Sequence, residues 1–214
     1  QRRAWILVAV LALLVAPPRA QDTEVLTGSR IRLLHITDSH ISLVNEVPQR
    51  SGRMYSAFVR TKHRDTKAQT TPQQEFEQLL HLTQSRQIDL VVLGGDIVNF
   101  PSNQTVAWVL EQLRLSGTDF IFTSGNHDWL LEGQRNAPSY DAARFEELSS
   151  TFRPFYEQSL SSGGSCYAAL GHWARPGAGF MYGCAVVKGL LLLFVDNSNF
   201  QVDDDQLEFL RMQL

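Results

Sequence analysis

The run Ile88-Asp89-Leu90-Val91-Val92-Leu93 breaks abruptly into Gly94-Gly95-Asp96, and this change constrains the chain more tightly than any other feature. A short, continuous, β-branched-rich run is what a strand covered on both faces needs, because neither row of side chains meets water. A carboxylate following it sits at the rim of a sheet. The pattern recurs twice: Ile31-Arg32-Leu33-Leu34-His35-Ile36 leads to Asp38-Ser39-His40, and Phe120-Ile121-Phe122 leads to Gly125-Asn126-His127-Asp128. Between the runs lie two helical stretches. Thr71 caps the first, with Pro72 at its first position, Gln74 closing a capping box, and Phe76, Leu79, Leu80 and Leu82-Thr83 on one face. The second spans Pro101–Leu115 and stops at Ser116-Gly117. Strand, helix, strand, helix, strand with short links is the pattern of a parallel or mixed α/β sheet, whose ligands gather beyond the carboxyl ends of the strands.

Asp38, His40, Asp96 and Asn126 offer oxygen and nitrogen atoms suited to hard or borderline cations, and His127 can hold or donate a proton near neutral pH. One such tetrapeptide alone reads equally well as an Asn-rich turn with Asp128 as a helix N-cap. Ionisable groups at three successive strand ends are a poor way to stabilise a sheet, and point instead to one shared site.

The composition of these 214 residues, 43% hydrophobic and 19% charged, is that of one globular domain with a sizeable core. Residues 1–20 have the layout of a secretory signal: Arg2-Arg3, an apolar Ala4–Ala16 too short to span a bilayer, then Pro17-Pro18-Arg19-Ala20. Cleavage after Ala20 removes Arg2, Arg3 and Arg19 and no acid, taking the net charge from −3 to −6. The shortness of the apolar stretch argues against a stable membrane anchor, the signal layout points outside the cell or to a lysosome-like compartment, and the acidic mature domain argues against nucleic acid as the default partner. Cys166 and Cys184 fit one disulfide in that setting, two buried thiols being the alternative. Asn103-Gln104-Thr105 is an N-glycosylation sequon at an exposed helix start. The connection from about residue 41 to 71 carries Arg50, Arg53, Arg60, Lys62, Arg64 and Lys67; it is either a solvated basic loop or a source of cations for an anionic substrate, with Arg53 and Tyr55 the first members to test.

After Asp128, Tyr140–Ser150 reads as a helix and Phe152–Tyr156 as an aromatic cluster that packs. Short strands follow at Cys166–Leu170, Gly179–Val187 and Leu190–Val195, with Lys188-Gly189 as a turn, and predict a second sheet. Asp203-Asp204-Asp205-Gln206 then opens a helix with Leu207, Leu210 and Leu214 on one face.

Taken together, D-x-H at Asp38-Ser39-His40, G-D at Gly95-Asp96 and G-N-H-D at Gly125–Asp128 resemble the signature of the calcineurin-like metallophosphoesterase superfamily. The resemblance covers residues 31–214 and implies a two-sheet sandwich built from βαβ units with flanking helices. It also implies a dinuclear centre of divalent metals (Mn, Fe, Zn or Co) acting on a small-molecule or macromolecular phosphoester. By the same resemblance Asp96 bridges the metals, Asp38 and His40 serve the first, Asn126 serves the second, and His127 is the general acid. Asp128 either orients His127 or caps a helix. The purple acid phosphatase branch, with its G-D-x-x-Y, is excluded because Ile97, Val98 and Asn99 follow Asp96. The family's later His and G-H-x-H are absent; Gly171-His172 precedes Leu190–Val195 and is followed by Ala174 where the second His belongs. The expectation is therefore an amino-terminal portion of a phosphoesterase domain whose C-terminal part is missing. The alternative is a truncated or degenerate binding protein that keeps the fold without turnover.

Overall fold

The computed structural model of the chain describes residues 11–13, 30–43, 70–129, 150–159, 182–188, 190–198, 202 and 204–214. Arg53 and its basic neighbours, the expected helix from Tyr140 as far as residue 149, and the expected strand Cys166–Leu170 lie outside them. In chain order the elements are β1 (Leu11–Leu13), β2 (Leu33–Ile36), α1 (Pro72–Ser85), β3 (Leu90–Leu93), α2 (Asn103–Ser116), β4 (Phe120–Phe122) and the single-turn α3 (Asn126–Trp129). Next come α4 (Arg153–Gln158), β5 (Tyr182–Val187), β6 (Leu190–Val195) and α5 (Asp204–Gln213).

Strands β2, β3 and β4 form one parallel sheet in that order, with His35 opposite Val92 and Val92 opposite Ile121. β3 is buried along its whole length, as its unbroken apolar run requires. The ladders begin two residues later than Ile31 and Ile88 suggest; just before them the Asp89 carboxylate accepts the Arg32 N–H at 2.9 Å and the Lys188 ammonium at 2.6 Å, while the Asp89 N–H donates to the Arg32 carbonyl. Helix α1 starts as its sequence dictates, with the Thr71 hydroxyl accepting the Gln74 N–H and the Gln74 side chain accepting the Thr71 N–H at 3.0 Å. Phe76, Leu80 and Thr83 are its buried face; Leu79 and Leu82 are exposed, so the apolar stripe is narrower than the run of leucines suggests. Ser102 caps α2, and Gly117 ends it in the left-handed conformation at φ 66°.

A second sheet has the order β1-β6-β5, all antiparallel. β1 falls within the expected leader, so a chain cleaved after Ala20 lacks this strand and presents that edge of β6. Leu90, Val92 and Ile121 from the parallel sheet share a buried cluster with Ala185, Leu192 and Phe194 from the antiparallel one. The opposite face of the parallel sheet packs against α1, α2 and α4, and Cys184 and Leu193 pack against Phe209 of α5. Cys184 is disulfide-bonded; Cys166, its expected partner, lies outside the described residues. Helix α5 buries Gln206 and Phe209 rather than Leu207 and Leu214, which are exposed. The reason is polar: the Gln206 amide is drawn inward to bracket the Asp196 backbone.

The aromatic stretch packs as its composition suggests. Phe122 stacks on Phe152 with ring centroids 5.7 Å apart and meets Phe155 at 4.7 Å. Phe155 is fully buried, so Phe155→Ala is expected to destabilise the protein by about 3–5 kcal/mol in urea unfolding. A loss below about 1 kcal/mol would show that this cluster does not anchor α4 to the sheet.

Candidate metal centre

The pairing of β2 with β3 does not stop at the strand ends. Gly94 N–H donates to Ile36, Asp38 N–H to Gly95, His40 N–H to Asp96, Ile41 N–H to Ile97 and Asn99 N–H to Ile41, so the first two motif loops are laced backbone to backbone. The third loop is joined to them by Asp128. This carboxylate is fully buried and accepts three N–H groups, Asp96 at 2.8 Å and Gly125 at 2.8 Å on one oxygen and Val98 at 3.0 Å on the other. Asp128 thus fixes the loops rather than ending in solvent as a simple helix cap.

Two glycines make the contact possible. Gly95 sits at φ 92°, and a Cβ there would lie 2.6 Å from the Gly125 nitrogen. A Cβ on Gly125 would collide with the Asp96 carboxylate and its backbone nitrogen. Three non-glycine residues pay for the arrangement: Asp38 (φ 56°), His40 (φ 47°) and Asp96 (φ 52°) are all left-handed. Such conformations cost of order 1–3 kcal/mol each and collect where function demands them.

The side chains converge. Ligand atoms of His40, Asp96 and His127 all lie within 4.8 Å of one another. His40 Nε2 is 4.0 Å from Asp96 Oδ2 and 3.9 Å from Asp38 Oδ1, too long for hydrogen bonds but close to the span of about 4.4 Å that two ligands of one ion can have. The His40 and His127 rings meet edge to face at 4.4 Å. Asp38 is the most exposed member, its side chain 56% accessible and accepting the Thr37 hydroxyl at 2.8 Å. Asn126 opens α3, half-buried beside His127. His127 N–H donates to Asp96 Oδ1 at 2.8 Å, and its Nδ1 lies 2.9 Å from the Asn99 carbonyl. A carbonyl only accepts, so Nδ1 carries the hydrogen and Nε2 is left for chemistry.

Burial raises the pKa of Asp96, against the lowering effect of His127. Asp128 is raised further by burial and then by the Asp96 carboxylate, against its three N–H donors. A cation bound there would supply the countercharge that the buried Asp96 carboxylate otherwise lacks, and the carboxylate and imidazole donors of His40, Asp96 and His127 fit a metal ion. Sequence reasoning did not find the Asp128 clasp, the Asn99 carbonyl or the buried bond from Ser124 to Asp196, although Asp196-Asn197-Ser198 was visible as the polar turn that closes the last strand and Asp128 as a polar residue directly beside G-N-H.

Of the other expected residues, Asn103 is exposed at the start of α2, whereas Thr105 of its sequon is buried and its hydroxyl accepts the Leu43 N–H at 3.4 Å. Arg53 lies outside the described residues. No helix among the described residues is long and apolar enough to cross a membrane.

Two outcomes follow from this geometry. Gly125→Ala should abolish metal binding while leaving the secondary structure by circular dichroism unchanged. Because Asp96, whose pKa burial raises, and the His40 imidazole must both be free of the competing proton to ligate, metal affinity by calorimetry should decline with falling pH well before the ordinary aspartate value of 3.8 is reached. Affinity that holds steady down to that value would contradict the assignment.

The family model for the calcineurin-like phosphoesterases matches residues 31–200. No curated protein matches the chain significantly. The three laced loops thus lie within a matched span that covers most of the sequence, and the chain belongs to the calcineurin-like phosphoesterase family.

Proposed function

We propose that the chain is a secreted, metal-dependent hydrolase of phosphoester bonds, with a dinuclear centre bridged by Asp96 inside a two-sheet sandwich. Supporting this reading is one observation above the rest: His40, Asp96 and His127 meet at the carboxyl ends of parallel strands, in a chain of this family. Asp38 and His40 would hold one ion, Asn126 the other, and Asp96 both. Divalent metals of this kind supply a water of lowered pKa and neutralise charge on the phosphoryl oxygens.

The remaining chemistry belongs to the side chains. As the phosphorus–oxygen bond to the leaving group breaks, that oxygen needs a proton. In this reading His127 gives it from Nε2, because Nδ1 is committed to the Asn99 carbonyl. Arg53, in the basic stretch of sequence that follows Asp38-Ser39-His40, is proposed to bind the substrate phosphoryl group. Cleavage after Ala20, a Cys166–Cys184 disulfide and a glycan on Asn103 complete the secreted reading. The buried Thr105 hydroxyl implies that such a glycan is added before the domain closes.

Hydrolysis of an aryl phosphate with added Mn²⁺ or Zn²⁺ tests the proposal. Asp96→Asn should lose metal and activity together. His127→Ala should keep its metal and lower kcat by about 10²–10⁴-fold. Equal loss of metal in both variants would make His127 a ligand rather than the acid.

A further inference from the structure

The turn Gly125–Asp128 is gripped from outside as well as from within. Ser124, just before it, donates its hydroxyl to Asp196 Oδ2 at 2.5 Å. Trp129, just after it, donates its indole N–H to the Ser198 hydroxyl at 2.7 Å, and that hydroxyl donates to Asp196 Oδ1 at 2.5 Å. The Ser198 N–H also reaches Asp196 Oδ1, at 2.8 Å. One carboxylate thereby holds both ends of the turn that carries Asn126 and His127.

Asp196 is itself fixed by its neighbours. Its N–H donates to Gln206 Oε1 at 2.7 Å and its carbonyl accepts the Gln206 amide at 2.9 Å, so helix α5 clamps the end of β6. Every member is buried: Asp196 and Gln206 at 0%, Trp129 at 1%, Ser124 at 4% and Ser198 at 5% exposure. A carboxylate buried this deeply is an expensive way to fill a core, since apolar residues of similar size do that as well or better. Its value lies in direction: hydrogen bonds fix a turn's orientation where dispersion contacts only fix its depth.

We infer that Asp196 is a positioning residue for the active turn, acting through Ser124, Ser198 and Trp129 to aim His127 at the substrate. The inference rests on the phosphoesterase reading for its effect on turnover, but its effect on the His127 ring can be read without turnover.

The test uses the full chain with Asp196→Asn, and with Ser124→Ala as a milder second variant that removes one hydroxyl and serves alone should Asp196→Asn fail to fold. In metal-free protein, imidazole nitrogen–proton correlation spectra should show His127 shifted or broadened while the exposed His35 and His81 stay in place. With metal and an aryl phosphate, kcat should fall at least tenfold in Asp196→Asn with KM within twofold of wild type. In a His127→Ala background the same substitution should cost nothing further, because the group it positions is gone. A His127 signal unchanged in every folded variant, or a kcat loss undiminished without His127, overturns the inference. If the wild-type protein hydrolyses no phosphoester, the proposed function fails, and the histidine spectra alone decide the role of Asp196.

Discussion

The Asp128 carboxylate is the interaction on which the site depends. It takes N–H groups from Asp96, Val98 and Gly125, two separate loops, and holds them close enough that only glycine fits at Gly95 and Gly125. Without that acceptor three buried N–H groups lose their partner at once, each worth about 1–3 kcal/mol when left unsatisfied. The loops would part, and with them Asp96 and His127. The left-handed Asp38, His40 and Asp96 are held in place by the same lacing.

This clasp explains a charge pattern that would otherwise be hard to justify. Asp96 and Asp128 are two nearly inaccessible carboxylates in one small volume, each raised in pKa by burial. Asp128 spends its lone pairs on the backbone and is committed to structure. Asp96 accepts one N–H from His127 and turns its other oxygen toward His40. One acid builds the site and its neighbour remains for chemistry, a division set by which lone pairs are already occupied.

Much of this was legible in the sequence, for identifiable reasons. Continuous apolar runs marked the three parallel strands, and β3 and β4 are buried along their whole length, whereas β2 exposes Leu33 and His35 and buries only Ile36. Thr71, Pro72 and Gln74 located the start of α1, because capping is a local affair of four residues. The convergence of Asp38, His40, Asp96 and His127 followed from strand ends sharing one rim. What escaped reading was long-range: Ser124 finds Asp196, and His127 finds the Asn99 carbonyl, through contacts that no spacing encodes. Leucine counts failed on α1 and α5 for the same reason. Leu79 and Leu207 were read from helical period alone, whereas the register of each helix was set elsewhere, by Phe76 and Leu80 in one case and by the Gln206 clamp in the other.

The central claim is that the three loops form a cation site on Asp96. Anomalous diffraction from crystals grown with Mn²⁺ tests it directly. The account predicts a peak within about 2.0–2.3 Å of the Asp96 carboxylate, with His40 Nε2 and an Asp38 oxygen in its shell. Crystals whose Mn²⁺ lies only elsewhere, with Asp96 making no contact to an ion, would contradict it.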